Sequence, residues 1–295
     1  MSRPVRVAPE VLRAHPLPRH FPGDDKEDRG RVLVVGGDAD LPGGAMLAGV
    51  AALRAGAGKL QIATASSVAR LVAVAVPECR VFHLPEGPDG AIAAAAAEVL
   101  RPQLARSGVV IVGPGMMDEA AASALVAELL SAPDCPALLL DAAALCGLPK
   151  QAGALSAREG RTVITPHAGE MASCLGLAKD EVEADPVAVA RRAAADLHCV
   201  VALKGACTRI VAPDGQTFES DHGGVGMATS GSGDTLAGII GGLMARGADP
   251  LVATLWGVWV HAEAGDRLSR KRGPLGFLAR ELPGEVPAIL AELCA

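Results

Sequence analysis

Short apolar runs alternate with longer amphipathic ones along most of this chain. Arg31–Val35 is almost wholly aliphatic, ends at Gly36-Gly37 and reads as a buried strand. Pro42-Gly43-Gly44 then introduces a small-residue helix to about Ala55, closed by Gly56 and Gly58 before a strand at Leu60–Ala63. A strand, loop, helix and strand in that order is the unit of a parallel sheet covered by helices. The pattern recurs as a helix over 91–105 and a strand at Val109–Val112 running into Gly113-Pro114-Gly115. A helix over 118–130 leads to a strand at Ala137–Leu140, ending at Asp141. Thr162–Thr165 is a strand stopped by Pro166, and a helix over 186–196 leads to a strand at Val200–Leu203. Arg209–Ala212 followed by Pro213-Asp214-Gly215 predicts a hairpin at the sheet edge. Helices follow over 235–246 and 250–270, with one short helix in the Pro-Gly-punctuated tail. The apolar stretch 251–260 fits either core or an oligomer contact. Residues 1–27 read as an N-terminal arm, and no linker divides the rest. The expectation is one α/β domain over 1–295, with a central, mostly parallel sheet and helices on both faces.

Composition narrows the partners. The 295 residues are 50% hydrophobic with a formal net charge of -6, enough to bury a large core and poorly suited to a nucleic-acid surface. Four Phe, two Trp and no Tyr leave few platforms on which bases could stack. No apolar run is long enough for a membrane span, and the first residues lack the apolar core of a signal peptide. The seven Cys include no C-x-x-C pair, which favours reduced thiols in a cytoplasm over disulfides or a zinc cluster.

Candidate chemistry collects where the strands end. Residues 228–238 read A-T-S-G-S-G-D-T-L-A-G, just ahead of the helical period at Leu236, Ile239, Ile240 and Leu243. Gly231, Ser232 and Gly233 therefore fall at a helix start, where free N–H groups and the helix dipole favour an anion. Thr229 adds a hydroxyl to the same run. Asp234 supplies a carboxylate there, and the dipole alone would hold its pKa low and make it a weak resting base. The plainer reading is an N-cap turn. Neither common nucleotide signature is present: 36–44 lacks G-x-G-x-x-G spacing, and Gly58-Lys59-Leu60 follows a helix and lacks the hydroxyl of a P-loop.

Lys204-Gly205-Ala206-Cys207-Thr208 offers an ammonium, close backbone approach and a hydroxyl to a phosphate, or is an ordinary hairpin turn. Thr165-Pro166-His167-Ala168-Gly169-Glu170 is a compact polar loop whose His167 suits a substrate amide, phosphate or hydroxyl. Glu170 suits water or Mg²⁺, and a helix cap is the bland alternative for both. Asp141 orients water or a metal, or merely forms a turn. His222 reads as exposed on a loop, and Met227 as packing.

Taken together, these segments resemble the ribokinase-like fold and, within it, the ADP- or ATP-dependent NAD(P)H-hydrate dehydratases. The resemblance spans roughly 28–272. It rests on L-V-V-G-G-D, P-G-G-A-M-L-A-G-V-A-A-L-R-A-G-A-G-K-L, V-G-P-G-M, V-I-T-P-H-A-G-E-M, L-K-G-A-C-T and G-M-A-T-S-G-S-G-D-T-L-A-G-I-I. It implies that Ala45, Gly115 and His167 line a hydrated dinucleotide, with Asp234 at its reactive hydroxyl. Lys204, Gly205, Ala206, Cys207 and Thr208 would hold the nucleotide donor together with Gly231, Ser232 and Gly233. ADP (or ATP) would be the phosphoryl donor, with Mg²⁺ held largely through water. The implied reaction restores NADH or NADPH from its S hydrate, releasing AMP and phosphate, in a homo-oligomer that is a homotetramer in the family. Gly224-Val225-Gly226, Ser230 and Met117 depart from the family pattern. A ribokinase-like small-molecule kinase and a non-catalytic nucleotide-binding protein are the alternatives.

Overall fold

The computed structural model describes residues 3–294. Ten strands form one sheet: β1 (Val5–Arg6), β2 (Arg31–Val35), β3 (Lys59–Ala65), β4 (Cys79–Leu84), β5 (Val109–Val112), β6 (Ala137–Leu140), β7 (Thr162–Ile164), β8 (Val200–Leu203), β9 (Thr208–Val211) and β10 (Thr217–Ser220). Their spatial order is β1-β10-β9-β8-β7-β6-β5-β2-β3-β4. All neighbours are parallel except β8–β9 and β9–β10. The aliphatic runs are continuous because these strands are buried on both faces. In β2, Val32 and Val34 point into one helical layer and Leu33 and Val35 into the other, the two-residue period of a pleated strand.

One layer is built on helices Pro42–Arg54, Ser232–Ala245, Pro250–Arg272 and Leu282–Cys294, and the other includes Ala96–Leu104, Glu119–Ser131 and Pro186–Leu197. Helix Ser232–Ala245 presses against helix Pro42–Arg54 through small residues one turn apart. A Cβ on Gly238 would stand 2.1 Å from the Ala48 carbonyl oxygen, and one on Gly242 would stand 2.5 Å from that of Ala52. Only glycine permits this approach, and it sets the depth at which the first turn of Ser232–Ala245 reaches the sheet.

The strands read from sequence are present to within two residues at each end, and the hairpin is β9–β10. Two edge strands were not foreseen. The arm contributes β1, parallel to β10, and helix Pro9–Ala14, whose Leu12 is wholly buried. The Trp256 indole donates to the His15 carbonyl at 2.8 Å and ties the arm down. At the other edge lies β4, preceded by helix Ala69–Ala75. Helix 91–105 is shorter than expected, at Ala96–Leu104, and the last helix is longer, at Leu282–Cys294. The 251–260 stretch is mostly core: Trp256, Val258 and Val260 are buried.

Topology fixes where a ligand can sit. From β2 the chain order runs outward through β3 and β4, whereas β5 to β8 run the other way, so adjacent β2 and β5 flank the switch point. Loops leaving two such strands diverge to opposite faces and leave a crevice at their carboxyl ends. Gly36-Gly37 and Gly113-Pro114-Gly115 occupy that crevice, and Asp141, His167 and Lys204 follow along the same edge.

Candidate active site

Asp141, at the end of β6, is buried. Its Oδ1 accepts from the Thr165 hydroxyl at 2.8 Å and from the Lys204 ammonium at 2.9 Å. Lys204 also lies 3.7 Å from Glu170 Oε2. The Lys204 N–H donates to the Pro166 carbonyl at 2.7 Å, locking the end of β8 to the loop after β7. Burial opposes the Lys204 charge, but the carboxylates of Asp141, Glu170 and Asp234 outweigh it and hold its pKa above the usual lysine value. Lys204 therefore stays cationic at the centre of three acids. The residue after Asp141, Ala142, has a left-handed φ of 50°, a local strain beside the buried carboxylate.

His167 and Glu170 both serve as helix caps. His167 Nδ1 accepts from the Glu170 N–H at 3.1 Å, and Glu170 Oε2 accepts from the His167 N–H at 2.7 Å. This reciprocal box starts helix Ala168–Leu175. It leaves His167 Nε2 as the proton-bearing nitrogen, 3.4 Å from Glu170 Oε1. Capping and cavity lining coexist here, since both side chains face the cavity described next.

That cavity, of about 1010 Å³, is walled by Lys204, Gly205, Ala206 and Thr208 on one side and by residues of the 222–229 loop on another. Ser232, Gly233 and Asp234 form its end. Cys207 does not line it; its thiol takes a 2.7 Å contact from the Arg209 guanidinium instead. Gly231 is the N-cap of helix Ser232–Ala245, with a left-handed φ of 86°, and abuts Leu47 instead of the cavity. Ser232 N–H is taken by the Thr229 carbonyl at 3.1 Å, so the N–H groups left without a protein acceptor in this first turn are those of Gly233 and Asp234. The N–H groups free to meet an anion are therefore displaced by one residue from the 231–233 expected from sequence. A Cβ on Gly233 would lie 3.4 Å from Lys204 Nζ and 3.9 Å from Asp141 Oδ2. The ammonium and the helix start thus face one point.

Asp234 departs from the sequence expectation. Burial raises its pKa most, Asp141 and Glu170 raise it further, and Lys204 only partly compensates, leaving it at about 6. The helix start does not hold it low. A carboxylate with that proton affinity is a competent base near neutral pH.

At the switch point between β2 and β5 lies a second wall, made of backbone. Gly37 N–H donates to the Pro114 carbonyl at 2.8 Å and Asp38 N–H to that of Gly115 at 2.9 Å. Gly115 has a φ of 70°, and a Cβ there would meet the Leu41 carbonyl oxygen at 2.3 Å. Asp38, not singled out from sequence, is 4% exposed and clasps two loops: Ile92 N–H donates to Oδ1 at 2.9 Å and Met117 N–H to Oδ2 at 2.7 Å. Ala45, expected on the substrate, is fully buried, whereas Gly43, Gly44, Gly115 and Met117 offer the accessible surface.

His222 is not the free loop histidine expected. Nε2 lies 3.1 Å from Glu263 Oε2 and Nδ1 lies 3.2 Å from Asp266 Oδ2, with the ring stacked on Trp259 at 5.3 Å between centroids. Arg267 and Arg270 occupy the other Glu263 oxygen. Because the imidazole lies between its carboxylates, these three side chains form a clamp on the loop. Met227 packs on Gly265 as expected.

A sheet of this order, with free helix-start N–H groups opposite a lysine and an aspartate in the cavity, defines a ribokinase-like scaffold. The solved ADP/ATP-dependent NAD(P)H-hydrate dehydratase of Bacillus subtilis, co-crystallised with ATP/Mg²⁺, superimposes with a TM-score of 0.81 at 28% identity, covering 99% of this chain and 100% of that one. The NAD(P)H-hydrate dehydratase family model matches residues 32–288, and the chain belongs to that family. It is 49% identical to the ADP-dependent (S)-NAD(P)H-hydrate dehydratase of Xanthomonas campestris over 97% of this chain and 96% of that protein. It is 40% identical to the bifunctional NAD(P)H-hydrate repair enzyme of Moorella thermoacetica over 94% of this chain, and spans 52% of that longer protein.

Proposed function

We propose that this chain catalyses the ADP-dependent dehydration of the S form of NADH or NADPH hydrate, regenerating the dihydronicotinamide and releasing AMP and phosphate. The observation that carries this reading is the position of Asp234. Its carboxylate, with a pKa of about 6, stands in the large cavity beside Lys204, with Asp141 and Glu170 close enough to raise its proton affinity. ADP fits the cavity with its β-phosphate toward Lys204 and the N–H groups of Gly233 and Asp234. Leu236, Val258 and Ala262 form an apolar part of the cavity lining suited to the nucleoside. The hydrate then lies against Gly44 and Gly115 with its C6 hydroxyl at Asp234.

Hydroxide is a poor leaving group and phosphate a good one. Asp234 takes the hydroxyl proton as the C6 oxygen attacks the β-phosphorus, AMP departs, and Lys204 and the helix-start N–H groups hold the charge developing on the transferred phosphoryl. The ring nitrogen then drives out phosphate from C6, and loss of the C5 proton restores the double bond. The donor set fits Mg²⁺: Asp141 Oδ1 is already occupied, its Oδ2 faces Gly233, and Asp234 adds a second hard oxygen. Asp141 and Asp234 would hold the ion largely through water, where it would neutralise charge on the donor phosphates.

We place the enzyme in the cytoplasm, as a homo-oligomer of four copies working on small molecules and not on nucleic acid. No helix among the described residues is long and apolar enough to cross a membrane. Leu71 and Val74, 69% and 82% exposed on helix Ala69–Ala75, offer an apolar patch for self-association. Light scattering on the purified chain tests the stoichiometry, and a monomer overturns it.

The activity test combines protein, Mg²⁺, ADP or ATP and the S hydrate of NADH, following dihydronicotinamide absorbance and phosphate release together. Recovery of NADH with one phosphate released per turnover is expected. Nucleotide consumption without NADH recovery would establish the small-molecule kinase alternative instead. Nucleotide binding without turnover would leave a non-catalytic nucleotide-binding protein.

A further inference from the structure

His261 lies mid-way along helix Pro250–Arg272, buried, and lines the base of the large cavity. The reaction above gives it no part. Its Nε2 stands 3.2 Å from the hydroxyl oxygen of Ser232, the first residue of the helix whose start faces the donor phosphates. Ser232 has already committed its N–H to the Thr229 carbonyl, so the hydroxyl is the only donor it can offer to an anion.

We infer that His261 is a positioning residue: its Nε2–H donates to Ser232 Oγ and so turns the Ser232 hydroxyl proton toward the transferring phosphoryl group. A hydroxyl has one hydrogen. If that hydrogen went to His261, Ser232 would present lone pairs to a phosphate oxygen, a repulsive contact. If His261 supplies the hydrogen, the Ser232 proton is released to the phosphate. The ring is neutral and carries the single N–H this arrangement needs. Burial pulls its pKa down to about 4, with the Lys204 charge acting in the same direction and a Ser232 backbone hydrogen bond opposing. The Ser232 hydroxyl then completes the donor set of Lys204 Nζ and the Gly233 and Asp234 N–H groups. This inference rests on reading that helix start as the phosphate site.

A double-mutant cycle tests it in the full chain. His261→Leu removes the donor while filling the space, His261→Gln keeps an amide N–H near the Nε2 position, and Ser232→Ala removes the hydroxyl. His261→Leu and Ser232→Ala are each expected to lower kcat about tenfold, a modest share of the loss seen when an oxyanion donor is removed outright. The KM for ADP should stay within about twofold, His261→Gln should recover most of kcat, and the double variant should be no slower than either single one. Multiplicative losses, or a KM change with kcat intact, would show that His261 only packs. Should the wild-type chain turn over no hydrate, that failure falls on the proposed reaction. The relay is then read by ¹⁵N NMR of labelled histidine with AMP and inorganic phosphate bound, the His261 signals assigned by their loss in His261→Gln. A protonated Nε2 in that state upholds it, and an unprotonated Nε2 overturns it.

Discussion

The two walls proposed to meet at Asp234 are built from different materials. On the proposed donor side, Lys204, Asp141, Glu170, Thr165 and Asp234 form a partly buried polar cluster, brought together from the ends of β6, β7 and β8 and the first turns of two helices. On the proposed hydrate side, Gly36-Gly37 and Gly113-Pro114-Gly115 are joined carbonyl to N–H, and the one buried charge, Asp38, serves only backbone donors. A charged cluster can move protons and stabilise developing charge, because its pKa values depend on its members. A backbone wall has nothing to titrate, but it keeps its shape. Changes on the first wall should therefore appear in kcat and its pH dependence, and changes on the second in KM for the hydrate.

The largest expected effect tests the centre of the first wall. Asp234→Asn should lower kcat by about 10³-fold, within the range for loss of a general base, while leaving ADP affinity within a few fold. The same variant should be more stable than the wild type. Because the folded pKa of about 6 exceeds the unfolded value, the folded protein holds an extra proton across roughly pH 4 to 6. Wild-type stability contributed by this group is thus lost as pH rises through that window. At pH 8, Asp234→Asn is expected to gain about 1–3 kcal/mol in urea unfolding. Full activity in this variant would reject the base role, and unchanged stability would reject the buried, like-charged environment.

Next in size is Lys204→Met, which removes the cation that partly offsets Asp141 and Glu170. A loss of about 10²-fold in kcat is expected from the missing phosphate donor. The more specific sign lies in the pH profile. Wild-type kcat/KM should rise through an acid limb near 6, and without Lys204 that limb should move upward, because the remaining carboxylates still resist ionisation of Asp234. A limb that stays in place would separate Lys204 from Asp234.

On the hydrate wall, Asp38→Asn keeps one acceptor but turns an amide N–H toward the N–H of Ile92 or Met117. The clasp loosens, and KM for the hydrate should rise about tenfold with ADP binding and kcat nearly unchanged. If kcat fell instead, the division between the walls would be wrong.

What could be read from the sequence follows the same division. The central strands were legible because burial on both faces makes them continuous aliphatic runs, and Asp141, His167 and Lys204 drew notice by sitting where such runs end. β1 and β4 lie at edges, with mixed sequences whose pairing is decided by β10 and β3, so no local pattern announced them. Asp38 drew no notice in the sequence, since its partners Ile92 and Met117 are distant in the chain and present only backbone. His261 was concealed inside an apolar helix. The Asp234 pKa was misjudged because the local rule, the helix dipole, is overridden by burial and by Asp141, contributed from another strand. Ala45 was assigned by likeness to a family, whereas in this structure its side chain has no accessible surface.

The smallest expected effect concerns the rim of the donor wall. His222 is gripped by Glu263 and Asp266 and stacked on Trp259, and the residues after it, Gly223 to Thr229, curve over the cavity. These groups are partly exposed, so the clamp adds little to stability, and His222→Ala should cost under about 1 kcal/mol. With the donor placed as proposed, the clamp holds the loop over the nucleoside. ADP KM should accordingly rise about two- to threefold, with kcat and hydrate KM unaltered, because neither Asp234 nor the Gly115 wall touches the clamp. Steady-state kinetics with each substrate varied in turn measures this directly. A rise confined to hydrate KM would move the 222–229 loop to the other substrate and reverse which wall holds the donor.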